Sequence, residues 1–204
     1  MSASLPSPEE VLHLIRSRRT LKPIDMDADR DVPRATLERL LEAAHWAPNH
    51  GRTEPWRFHV FAGDSRKQLC EALPQIYDQV TPAGEIRPDK RNKLIRLPLL
   101  APVIVAIVLH SGANPKIPEI EETEAVACAM QNLMLLAAAE GIGSFWSSPP
   151  LVYRRETADW LGLASNERCL GFLYLGYPAP GTEATSAGVR GTLADKIFWK
   201  EPIS

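Results

Sequence analysis

Residues 125–139 hold thirteen apolar side chains among fifteen, interrupted only by Gln131 and Asn132. The stretch Glu121 to Glu140 therefore reads as one helix that is apolar nearly all round. A helix with no solvent face must be covered on every side, at the centre of a large core or in a subunit interface. The run is shorter than the about 20 residues a bilayer span requires. The rest of the composition can supply such a core: 204 residues, 45% hydrophobic and 24% charged, is the ordinary globular balance. At this length roughly 70% of the unfolded surface can be buried. A disordered tail and a fibrous chain are excluded, and one domain over residues 1–204 is expected, with 178–204 as a C-terminal arm.

The charges sum to −2, so no global field favours nucleic acid or an acidic membrane. Cys70, Cys128 and Cys169 are odd in number and widely spaced, which suits neither a zinc motif nor a disulfide framework. A reducing cytoplasm is the expected compartment. The start, Met-Ser-Ala-Ser-Leu-Pro-Ser-Pro, lacks the apolar core of a signal peptide.

Helical and strand patterns alternate along the chain. Ser7-Pro8-Glu9-Glu10 predicts a capped helix start, followed by an apolar face of Val11, Leu12, Leu14 and Ile15. A second helix is expected from Pro33 to Trp46, then a strand over Arg57–Ala62 and a helix from Ser65 to Tyr77 capped by Asp64. Thr81 to Arg96 is basic and weakly periodic, and reads as a surface segment with a short helix, a candidate lid. Pro102 to Leu109 is a β-branched run typical of a strand buried on both faces. After the apolar helix come a short strand from Gly143 to Ser147, a helix over Tyr153–Leu161 and a strand from Cys169 to Tyr177. The order gives an α+β domain with a mixed sheet of about four to five strands flanked by helices.

Three constellations stand out. Arg18-Arg19-Thr20-Leu21-Lys22 offers forked guanidinium donors, a hydroxyl and a further cation, a set matched to phosphate oxygens. Cations at a helix C-terminus also simply offset its dipole. Gly141-Ile-Gly143-Ser144 is not a dinucleotide loop, because its glycines follow a helix rather than a strand. A helix C-cap explains them better. Ala47-Pro48-Asn49-His50 precedes Pro55-Trp56-Arg57-Phe58, a polar loop entering an aromatic strand. His45 and His50 flank a proline with no carboxylate or thiolate cluster, which argues against a metal site. Cys128, within the apolar helix, reads as packing.

In this order the three pieces resemble the nitroreductase family of FMN-dependent oxidoreductases, closest to the short bacterial members, from Val11 to Glu201. The resemblance implies that Arg18, Arg19, Thr20 and Arg190 hold the FMN phosphate. It implies Lys22 at the flavin N1 and O2 edge, His50 at the flavin site, and Trp146, Ser147 and Ser148 along the ring. It also implies that the long apolar helix pairs across a homodimer. Two positions depart from the family pattern. Glu54 stands where glutamine is usual, so that side chain can only accept hydrogen bonds when ionised. Pro149 and Pro150 follow Ser148 where backbone N–H groups are usual, and proline has none.

The implied activity is hydride transfer from NAD(P)H, by way of flavin, to a nitroaromatic, a quinone or a similar small acceptor. No catalytic acid, base or nucleophile is assigned, since the flavin carries the chemistry. The alternatives are a flavin-consuming or dehalogenating relative, a non-catalytic FMN-binding or sensing module, and a helical interaction protein in which the arginines serve only the helix dipole.

Overall fold

The computed structural model describes residues 5–182 and 188–200. Its centre is an antiparallel sheet of four strands in the order β1-β2-β4-β3: β1 Trp56–Ala62, β2 Val103–His110, β3 Gly143–Ser147 and β4 Glu167–Gly176. The central strands carry the near-continuous apolar runs, and Val103–Leu109 is buried without a break. Their side chains alternate between two cores. Val103, Val105, Ile107 and Leu109 face helices α2 (Arg34–His45) and α5 (Glu119–Ala139), packing with Leu40, Val126, Met130 and Leu133. Ile104, Ala106 and Val108 pack with Leu69, Leu73, Ile76 and Ala158 of α3 (Arg66–Val80) and α6 (Arg155–Trp160). The α+β class is as expected. The sheet is mixed only through one parallel bridge, Thr20 to Ser144, because every pairing between strands is antiparallel.

Helix α5 is covered on one flank only. Glu122, Ala125, Val126, Ala129, Met130, Leu133 and Ala137 are buried. Ala127, Cys128 and Gln131 are exposed, and Leu135 is half-buried. Cys128 thus lies on the uncovered stripe instead of in the packing expected for it. Beside α5 runs α1 (Pro8–Ser17), opened by the expected capping box: Ser7 Oγ accepts from Glu10 N at 3.2 Å, and Ser7 N donates to Glu10 Oε2 at 2.7 Å. None of the α1 residues is buried, and Val11, Leu12 and Ile15 are each more than 40% exposed. Fully burying such a side chain stabilises by about 1.5–3 kcal/mol, so one chain leaves a continuous apolar surface unused.

Other boundaries shift for local reasons. The helix expected from Ser65 to Tyr77 runs on to Val80 through Pro74. Ser65, not Asp64, marks its start: the Ser65 hydroxyl accepts from Ala62 N and donates to Ala62 O, while Asp64 pairs with Lys67. The segment Thr81–Arg96 contains α4 (Pro88–Arg96), tied to α3 by an Arg91–Asp78 ion pair at 2.8 Å. The expected arm of 178–204 falls partly outside the described residues, at 183–187 and 201–204, as do residues 1–4. Within its described part Pro178 bridges Met26, and Val189, Leu193, Phe198 and Trp199 are exposed.

The pairing of β2 with β4 slips between Ile107 and Val108, opposite Gly171. There Gly171 adopts φ +142°, and a Cβ would lie 2.8 Å from Ser147 O and against the Trp146 indole. Glycine meets both demands. Gly171→Ala is expected to cost about 1–3 kcal/mol by overpacking. Gly84→Ala, in open space, should cost under about 0.5 kcal/mol. Urea midpoints test this, and equal values for the two variants would contradict the close approach.

Candidate functional site

The end of α1 is fastened to the free edge of β3. Thr20 bridges Ser144, and Leu21 N donates to Ser144 O at 3.0 Å. Leu21 then lies so close over Gly143 that a Cβ there would strike it, so glycine is what lets the two segments meet. This contact places Arg18 and Arg19, both half-buried, and the exposed Thr20 beside the last turn of α5. Arg19 is braced by its own chain, with Nη1 donating to the carbonyls of Arg16 and Arg18. Gly188 lies flat against the same guanidinium, where an added Cβ would come within 3.0 Å of Nε. That contact sets exposed Arg190, two residues on, near the arginine pair; its Nη1 donates to Val189 O at 3.1 Å.

Lys22 follows as the exposed N-cap of a short turn, Pro23–Asp25. It opens on a cavity of about 430 Å³ shared with Ile24, Arg96, Leu97 and Phe145. A second cavity of about 460 Å³ abuts the far end of β3 at Ser147, Pro149 and Pro150. Lys93 and Leu97 of the α4 region line both. Trp146 turns the other way, packing toward the α5 core with Nε1 donating to Leu170 O at 3.3 Å. Only its backbone is left for the cavity side. Ser148 is exposed.

His50 lies elsewhere in the chain. It sits on a turn, His50–Arg52, with Nδ1 2.6 Å from Glu121 Oε2 at the start of α5. Ile117 packs against Gly51 of this turn, and the segment carrying Ile117 is tied to α5 by Glu122, whose two oxygens accept from Gly112 N at 3.0 and 3.2 Å. Glu121 and Ala139 stand at opposite ends of α5, roughly 27 Å apart at 1.5 Å per residue. One chain therefore gathers Arg18, Arg19, Thr20, Lys22, the Arg190 segment and β3, and leaves His50 at the other end of the helix. Glu54 is exposed in the same loop at φ +45°, with its N–H donating to Asn49 Oδ1 at 3.1 Å.

Three guanidiniums and a hydroxyl suit a phosphate, and a lysine beside a largely apolar cavity with Phe145 in its wall suits a ring carrying negative charge; this donor set fits FMN. No thiolate is at hand on β4, since burial pushes the Cys169 thiol up to about 11. On the same strand, hydrogen bonds with His110 and then Ala164 N hold the Glu167 carboxyl below its ordinary range. Among the described residues no group of three or more His, Cys, Asp or Glu is placed to hold a metal. No helix among them is long and apolar enough to cross a membrane. Sequence reasoning missed Arg96 and Lys93, which meet Lys22 only through the packing of α4, and Phe145, which β3 brings there through Ser144.

The fold is thus an α+β sheet whose edge strand is tied to an arginine-rich helix end. The chain belongs to the nitroreductase family, whose model matches residues 15–177. Among its relatives, YdjA of Escherichia coli K12, named for NAD(P)H nitroreductase activity, is 30% identical over 70% of this chain and 75% of its own. YfhC of Bacillus subtilis, named likewise, is 31% identical over 83% and 85%. A nitroreductase-like protein from Bacillus cereus superposes with a TM-score of 0.78 at 25% identity, covering 99% of this chain and all of that one. The FMN-dependent nitroreductase NfnB of Mycobacterium smegmatis, crystallised with NADPH, gives 0.73 at 20% identity over 95% and 99%.

Proposed function

We propose that the protein is an FMN-dependent oxidoreductase that moves hydride from NAD(P)H to a nitroaromatic, quinone or similar small acceptor. The observation that carries this reading is the fastening of Thr20 and Leu21 to Ser144, which ties the segment carrying Arg18 and Arg19 to the edge of β3, with Lys22 opening on the adjoining cavity. Arg18, Arg19, Thr20 and Arg190 would hold the phosphate by charge-assisted hydrogen bonds. Lys22 would face the N1 and O2 edge, where a cation stabilises the negative charge of the reduced ring. The backbone of Trp146, Ser147 and Ser148 would border the ring, with any N–H donor coming from Ser148 or earlier. When bound, FMN supplies two-electron chemistry that no side chain here can. Nicotinamide and acceptor would use the same opening in turn, a ping-pong scheme. For a nitro compound the first two-electron balance is RNO2 + NAD(P)H + H⁺ → RNO + NAD(P)⁺ + H2O.

The working unit is a homodimer. The uncovered stripe of α5 and the free face of α1 form one apolar surface, and a twofold axis lets a second copy cover it. Two antiparallel α5 helices centred near Cys128 and Gln131 would set the His50 end of one copy beside the Ser144 end of the other. His50 would then complete the flavin site across the interface. A cytoplasmic location fits the free cysteines Cys70, Cys128 and Cys169.

The test is anaerobic. NADPH or NADH should bleach the flavin of the FMN-loaded protein, and a nitroaromatic should restore its colour with sustained NAD(P)H oxidation. Bound FMN that neither nicotinamide bleaches would instead make the protein a binding or sensing module.

A further inference from the structure

We infer that the cavity between α3, α4 and the Pro149–Pro150 turn is a subsite for the carboxylate of an aromatic acceptor. The inference rests on the reductase reading but concerns binding alone. The cavity, about 460 Å³, lies in the size range of small-ligand pockets. Its walls include the Tyr77 ring, Leu94, Leu97 and Leu151, which suit an aromatic body. Three cations, Lys90, Lys93 and Arg154, stand around it against one carboxylate, Glu85.

The pairing pattern separates these cations from their neighbours. Arg87 is paired with Asp89, Arg91 with Asp78 and Arg155 with Asp159, each at 2.7–2.8 Å. Among the described residues Lys90, Lys93 and Arg154 make no ion pair, although they lie within three residues of those that do. Lys90, Lys93 and Arg154 are exposed along the cavity rim without a carboxylate partner among the described residues, whereas Arg87, Arg91 and Arg155 are each held by one. An apolar cleft rimmed by unpaired positive charge selects an anionic aromatic over a neutral one of the same shape. Ser147 and Pro149 border the same cavity, so its occupant would lie against the strand end assigned to the flavin ring.

The experiment titrates FMN-loaded protein with benzoate, which cannot be reduced, and with benzyl alcohol as its neutral counterpart, by calorimetry. Benzoate should bind about tenfold more tightly or better, the scale of one charge-assisted contact. In the double variant Lys90→Gln/Arg154→Gln benzoate affinity should fall at least about tenfold, while benzyl alcohol binding changes less than about twofold. Arg155→Gln, which removes a paired cation outside the cavity, should leave benzoate binding unchanged. Equal benzoate affinity in wild type and double variant would overturn the inference. So would displacement of FMN by benzoate, which would make the cavity the flavin's own. The two readings fail separately: benzoate binding without turnover of 4-nitrobenzoate sinks only the reductase, and turnover with indifferent benzoate binding sinks only the subsite.

Discussion

Leu135→Asp is expected to yield a folded monomer that no longer holds flavin. In the single chain Leu135 is half-buried on the open stripe of α5, away from the sheet-facing residues Val126, Met130 and Leu133. A carboxylate there can reach water in the monomer, so the chain folds. In a dimer the same charge is trapped without a partner, at an effective cost of several kcal/mol. An interface built on α1 and α5 would belong to the obligate class, burying more than about 2,000 Å², and one unpaired charge near its centre would be enough to abolish it. On the proposed shared site, loss of the dimer would remove His50 of the second copy from the flavin, so mass and colour should be lost together. Leu133→Asp supplies the contrast. Leu133 is fully buried in the chain's own core, so this variant should fail to fold. Native-like circular dichroism with halved mass for Leu135→Asp, against an unfolded spectrum for Leu133→Asp, is the expected pair. A colourless Leu135→Asp dimer would break the link between assembly and flavin.

The second large effect is expected at Arg18. Arg18→Ala leaves a bound phosphate short of a desolvated partner, a loss of about 2–5 kcal/mol. That corresponds to FMN affinity weaker by roughly 30- to 5,000-fold. Arg16, also on α1 but exposed, provides the control: Arg16→Ala should shift affinity by less than about threefold. Fluorescence titration of apoprotein with FMN measures both. Equal dissociation constants would return Arg18 to the role of a helix-dipole partner.

These expectations depend on how much of the molecule could be read from residues in order. The β-branched run of β2 and the apolar run of α5 were legible because burial on many sides leaves a one-dimensional pattern. The capping box at Ser7 was legible because it is local. What α5 packs against was not, since a helix with no polar face is compatible with a deep core or with a second chain. The structure divides it between the two, half against the sheet and half open. The contacts of Thr20 and Leu21 with Ser144 left no signal in residue order, since they join segments more than a hundred residues apart. The bulge opposite Gly171 left no signal beyond one glycine in a strand. The division of α4 cations into paired and unpaired depends on Asp78 of α3, which no spacing rule connects to Arg91.

The central claim is a flavin site shared by two copies of the chain, and one measurement addresses it directly. Size-exclusion chromatography with light scattering and in-line flavin absorbance reads mass and cofactor in the same peak. The account predicts a single species of twice the 22.6 kDa chain mass carrying two flavins, released by heat as FMN. A 22.6 kDa species that retains its flavin would contradict the shared site, and release of FAD would contradict the phosphate assignment.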